Sequence, residues 1–166
     1  MPLTIRSRQK GHSADVWLLR RLAKWALAET EPRQAVEPGA HELGVYLVGP
    51  VEMAKANWDY LQHEGPTDVI TFDYGETGAV PKPGPILGDI FICPVVAEEF
   101  ARNYKTSWAE EVARYLIHGI LHLRGYDDST PGLRRMMKRE ENQLMTAAAG
   151  RFPLRRLARG TRVVGR

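Results

Sequence analysis

The apolar residues of this chain change their spacing at one point, and that change limits the folds open to it. Before Cys93 there are short runs with strand character at Leu3 to Ile5, Glu42 to Val48, Val69 to Tyr74 and Ile86 to Ile92. Their alternating, β-branched and aromatic residues suit a pleated surface. Helical spacing follows the first run from Val16 to about Glu29, behind a cap at Ser13 or Asp15, and a shorter helix opens at Pro50 and runs to about Tyr60. From Pro94 onward only helical spacing remains: to about Tyr104, from Ser107 to Leu123, and from Pro131 to about Ala148. Ser107 with Glu110 forms a capping box, Gly125 stops the middle helix, and Thr130-Pro131 opens the last. Strands early and helices late predict an α+β domain, a small mixed sheet of about four strands covered by helices. The Gly- and Pro-rich stretch from Gly75 to Pro85 predicts a long loop of the kind that often carries function.

A chain of 166 residues, 43% hydrophobic, can bury one core. A charged fraction of 26% and a single cysteine exclude a disordered chain and a disulfide scaffold. Cys93, without a partner, is expected to be a small buried hydrophobe. No apolar stretch reaches the roughly 20 residues that span a bilayer, and the first residues carry no apolar block like a secretory signal, so a cytoplasmic protein without membrane contact is expected. The net charge of +3 is uneven. Arg151, Arg155, Arg156, Arg159, Arg162 and Arg166 crowd the end without an acid, and removing them leaves a small acidic excess. The chain therefore reads as one domain over 1–150 and a basic tail over 151–166, either attracting phosphate or simply solvated.

His118 and His122 are four residues apart in the helix from Ser107, which brings their imidazoles onto one face, one above the other. Their neighbours Gly119, Ile120, Leu121 and Leu123 are apolar, and two imidazoles in that setting need a partner. Gly125 lets the chain turn back, so that Asp127 or Asp128 can bring a third ligand to a divalent ion. Such a site, with one position left open, acidifies water. Spacing alone is weak, since five histidines give a pair at this separation by chance roughly one time in eight; the apolar setting carries more. The general base of an H-E-x-x-H peptidase is missing, because Gly119 stands in its place. Phosphodiester cleavage fits this pattern at least as well as amide cleavage.

The run His118-Gly-Ile-Leu-His122-Leu-Arg-Gly125-Tyr126-Asp127-Asp128 resembles the H-G-x-L-H-L-x-G-Y-D-H signature of the YbeY family of ribosomal RNA maturation factors. Pro66 to Phe72 is similar to the family's P-T-D-V-L-S-F strand, and Leu87 to Cys93 to its L-G-D-I-V-I-C strand. The resemblance implies a single zincin-like domain and a metal-dependent, single-strand-preferring endoribonuclease of 16S ribosomal RNA maturation and ribosome quality control. Its implied partners are ribosomal RNA and the small ribosomal subunit. It further implies a zinc ion held by three motif positions, which fall here on His118, His122 and Asp128.

Two positions depart from the family pattern. Asp128 replaces a histidine, and an anionic ligand should leave bound water less acidified and widen the choice of metal to manganese or iron. Asp127 then reads as a residue that holds the turn or supports a ligand, and as a candidate acid or base. Leu61 stands where the family usually has an arginine linked to RNA handling, so phosphate contacts would have to come from elsewhere. Lys55, Arg124, Lys138 and Arg139 are the nearest cations in sequence, each equally readable as a solvated surface charge. Asp89 is expected to satisfy a nearby turn, and Trp17, Trp25, Trp58 and Trp108 are expected in the core. Two other functions remain open at this point: a ribosome-associated RNA- or protein-binding factor with a structural metal, and a metallohydrolase of another substrate.

Overall fold

The computed structural model describes residues 3–35, 37, 39–75 and 79–158. Strand β1 (Leu3–Ser7) leads to helix α1 (Val16–Glu29), strand β2 (Glu42–Leu47) and helix α2 (Pro50–Ala56), which continues as a π-helical turn at Asn57–Leu61. Strands β3 (Val69–Asp73) and β4 (Leu87–Ile92) precede helices α3 (Pro94–Tyr104), α4 (Trp108–Leu123) and α5 (Pro131–Arg151). The sheet order is β1-β2-β4-β3. The first three strands in that order are parallel, and β3 runs antiparallel to β4, with Ile70 opposite Phe91 and Phe72 opposite Asp89. This is the mixed four-stranded α+β sheet expected from the spacing, and it leaves β3 at an edge. No helix among the described residues is long and apolar enough to cross a membrane.

The helix starts follow from their caps. Asp15 accepts from the Trp17 and Leu18 amides at 3.1 and 3.0 Å, Thr130 accepts from Leu133 at 3.2 Å, and the Ser107–Glu110 capping box is closed. Each cap satisfies amides that the helix itself cannot, worth about 1 kcal/mol.

The core lies between α1, α4 and one face of the sheet. Leu19, Leu22 and Ala26 meet Val45, Leu47, Ile90 and Ile92 from β2 and β4, and Leu116, Ile117 and Ile120 from α4. Helix α4 is buried on nearly every side; only Glu110, Arg114, His118 and His122 are not. These four recur every fourth residue, so one polar stripe runs along an otherwise enclosed helix. Gly119 lets α4 approach the sheet, because a Cβ there would lie 2.7 Å from Cδ1 of Ile90. Cys93 is fully buried, as its composition context suggested.

Several expectations need correction. Trp17 and Trp58 are 71% and 54% exposed. Trp17 is off the apolar stripe that Leu18, Leu22 and Ala26 define, and Trp58 follows Val51 and Lys55 at helical spacing on the exposed side, away from buried Met53 and Ala56. Trp108 is buried, and Trp25 packs edge-on against Phe152, with centroids 5.8 Å apart. The folded unit also passes position 150: Phe152, Leu154 and Leu157 are buried in the core, and Asp15 donates its amide to the Leu157 carbonyl at 2.9 Å. Three apolar residues among arginines anchor this segment, which the charge count had disguised as tail. Arg159, Arg162 and Arg166, on which the rest of the basic-tail expectation falls, lie outside the described residues.

Arg124 is not a surface cation. It is fully buried, its Nη2 donating to the Leu27 carbonyl at 3.0 Å and its Nε to Thr30 Oγ1 at 3.1 Å. Its own carbonyl accepts from the Lys82 amide at 2.8 Å. The side chain ties the ends of α1 and α4 to the loop before β4, and it is removed from RNA contact.

Candidate metal centre

The polar stripe of α4 ends in the two histidines the sequence singled out. Past Leu123 the chain reverses at Gly125, whose φ of +103° is costly for any residue with a Cβ, while the Tyr126 amide still donates to the Leu121 carbonyl. This turn returns Asp128 to the stripe. His118 Nε2 lies 3.1 Å from His122 Nε2, and Asp128 Oδ2 lies 3.7 and 3.6 Å from the two nitrogens. Among the described residues these are the three side chains able to share an ion. Ligands about 2.1 Å from a tetrahedral zinc stand about 3.4 Å apart, so the three edges bracket the required spacing. Two imidazoles and a carboxylate are a donor set that zinc accepts and that manganese and iron tolerate.

The residue behind the histidines was not visible in the sequence. Glu141 of α5, 3% exposed, accepts from His118 Nδ1 at 2.8 Å. With that nitrogen protonated, Nε2 keeps its lone pair directed into the group, the arrangement by which a carboxylate orients a metal-binding histidine. Arg114 Nη1 and Lys138 Nζ donate to the other Glu141 oxygen at 2.6 and 3.1 Å. Burial raises the Glu141 carboxyl, but the hydrogen bonds from His118, Arg114 and Lys138 outweigh it and hold the group at about 2, so it stays ionised. Burial, reinforced by the neighbouring His118, pushes His122 below the usual histidine range and favours its neutral, ligating form.

Asp127 faces the other way. It accepts from the Asp128 amide at 2.8 Å and from the Ser129 hydroxyl, and that hydroxyl, ahead of the backbone amides, holds its carboxyl below the ordinary range. It shapes the turn that delivers Asp128.

The three side chains line a cleft of about 1030 Å³ between the β3 edge and α3, α4 and α5. Leu61 lines it too, 49% exposed, so the position without an arginine does open onto the site. Of the cations expected near RNA, Lys138 lines the cleft, Arg139 is exposed but not among its lining residues, and Lys55 is exposed and paired with Asp59 at 2.9 Å. Arg114 and Arg134 also line it and were missed. Arg114 could have been found as the residue one turn before His118 on the same face. Glu141 and Arg134 had no such signal, because α5 is polar on most sides and its cleft-facing stripe is set by packing. Among the described residues Asp89 accepts no turn amide; it accepts from the Tyr74 hydroxyl at 3.0 Å, away from the cleft. Gly119 faces Ile90 and the sheet, so the place of a peptidase glutamate is filled by core packing.

Comparison with known proteins places the chain in a family. A family model described as Endoribonuclease YbeY matches residues 4–149. An "Endoribonuclease YbeY" of Chlorobium luteolum is 42% identical over 109 residues, covering 64% of this chain and 75% of the relative. That of Thermobifida fusca is 38% identical over 144 residues, 84% of this chain and 89% of the relative. The solution structure of TM1509 from Thermotoga maritima superimposes with a TM-score of 0.56 at 25% identity, covering 96% of this chain and 99% of that one. On the match over nearly the whole folded unit, the chain belongs to the endoribonuclease YbeY family.

Proposed function

We propose that this protein is a metal-dependent endoribonuclease of single-stranded RNA, a cytoplasmic hydrolase acting in 16S ribosomal RNA maturation at the small ribosomal subunit. The family supports the nuclease activity. The observation that carries the metal dependence is the convergence of His118, His122 and Asp128 within one open cleft, their ligand atoms all within 4.8 Å of one another. Zinc is the proposed ion, and Asp128 admits manganese or iron. An ion held there supplies Lewis acidity toward a phosphoryl oxygen and lowers the pKa of water toward neutrality.

The chain's own residues do the rest. Glu141 fixes the tautomer and ring plane of His118, burial keeps His122 neutral, and Asp128 offsets one unit of the ion's charge. Lys138, 60% exposed at its side chain, brings positive charge to the rim of the cleft. An open cleft beside the group supports a hydrolytic site over a metal that only staples α4 to the following loop.

The test is digestion of a fluorescent single-stranded RNA and of its duplex by protein stripped with a chelator and reloaded with zinc, manganese or iron. Internal cleavage of the single strand, lost on stripping and restored by one of these ions, is expected. Cleavage indifferent to chelator contradicts the proposal.

A further inference from the structure

The cleft has two long walls, the β3 edge and a stripe of α5 made by Arg134, Met137, Lys138 and Glu141. These positions fall three and four apart, so they share one helix face, and Arg134 and Lys138 stand one turn, about 6 Å, apart along the axis. The lining charges are not equivalent. Arg114 and Lys138 share the single negative charge of Glu141. Asp73 is paired with Lys82 at 2.5 Å, and Asp68 accepts from the Val69 amide at 2.7 Å. The guanidinium of Arg134 has no acid partner among the described residues, is exposed, and opens onto the same cleft as His118, His122 and Asp128.

Its place on the helix adds to this. Arg134 follows the Thr130 cap by four residues, and the first turn of α5 contains no acid. A cation at this end opposes the helix dipole, at a cost of about 0.3 to 1 kcal/mol. The same alignment adds the positive end of α5 to the guanidinium, and both attract an anion. A residue that works against its own helix and has no acid partner among the described residues is suited to a partner outside the protein.

We infer that Arg134 binds a phosphate of the RNA strand next to the scissile bond, with Lys138 one turn further along the same wall for the following phosphate. This rests on the endoribonuclease reading and specifies its substrate contacts. Arg134 is a substrate-binding residue: its planar fork suits two phosphate oxygens, and its removal should weaken binding of the strand in the ground state.

The experiment measures kcat and KM of the metal-loaded full chain on a short fluorescent single-stranded RNA, with the salt dependence of KM, for wild type, R134Q, R134K and R135Q. Arg135 is exposed, one residue along and outside the cleft, so R135Q makes the same charge change without the contact. R134Q should raise KM about 10- to 100-fold with kcat changed less than threefold, and lower the slope of log KM against log salt by about 0.7. R134K should keep the slope and raise KM only a few-fold, and R135Q should resemble wild type. An unchanged KM in R134Q, or equal effects of R134Q and R135Q, overturns the inference while leaving the nuclease intact. A metal-loaded wild type that cuts no RNA overturns the parent reading and this one together.

Discussion

The buried carboxylate of Glu141 holds the imidazole of His118 from behind, Oε1 to Nδ1 at 2.8 Å, and so decides which nitrogen faces the cleft. Replacing Glu141 by glutamine keeps the shape but can leave the amide's own NH₂ facing Nδ1. The E141Q protein should remain folded and bind zinc about 10- to 100-fold more weakly. Competition with a chromophoric chelator measures this directly; unchanged affinity would show that Glu141 serves only the Arg114 and Lys138 ion pairs.

Gly119 sets how closely α4 lies on β4. An alanine there places a methyl 2.7 Å from Ile90 Cδ1 and also close to its Cγ2, atoms fully buried in the core. Overpacking of this kind costs about 1 to 3 kcal/mol. Urea unfolding of G119A should show that loss, and the double variant with Ile90→Val should recover part of it. A neutral G119A would mean that α4 shifts freely.

Arg124 is a strut. Its replacement by methionine takes the guanidinium donors from Thr30 Oγ1 and from the Leu27 carbonyl, which keeps only a 3.4 Å hydrogen bond from Thr30 Oγ1, and a buried group short of its partner costs about 1 to 3 kcal/mol. R124M should lose stability by that order in denaturant titration. RNA affinity per folded molecule should stay that of wild type, since the guanidinium never reaches the cleft.

His41 should make stability depend on pH. Burial first, then the charge of Arg124, push its pKa below the usual histidine value against the opposing pull of Glu31, and its Nδ1 accepts from the Ile86 amide at 3.0 Å. The neutral ring is thus the native form, and the unfolded chain binds the proton more readily. The stability this confers is present above the unfolded value near 6.5 and is lost as pH falls through the lower folded value. The slope in that window is at most about 1.4 kcal/mol per pH unit. Chemical denaturation between pH 7.5 and 5 should show this decline in wild type and a flatter profile in His41→Gln; identical slopes would refute it.

Much of this architecture could be read from local signals. Asp15, Ser107 and Thr130 announced their helices because a cap is a local interaction, and the strand runs showed themselves by alternation. His118, His122 and the turn at Gly125 were legible for the same reason, since four residues of helix and one left-handed glycine determine where the ligands meet. Glu141 and Arg134 were not, because their roles depend on how α5 packs across α4. Arg124 misled because a guanidinium can be buried where backbone carbonyls converge, which no local pattern records. Phe152, Leu154 and Leu157 were hidden by the arginines between them.

If His118, His122 and Asp128 hold one ion on which RNA cleavage depends, metal binding and cleavage must fall together when one of the three is removed. Zinc titration of metal-free wild type and D128A, with circular dichroism and RNA digestion on the same samples, measures this. One tight zinc per wild-type chain is expected, with at least tenfold weaker binding in D128A, a preserved fold and lost cleavage. A D128A protein that binds zinc as tightly as wild type and cuts RNA at the same rate would contradict it.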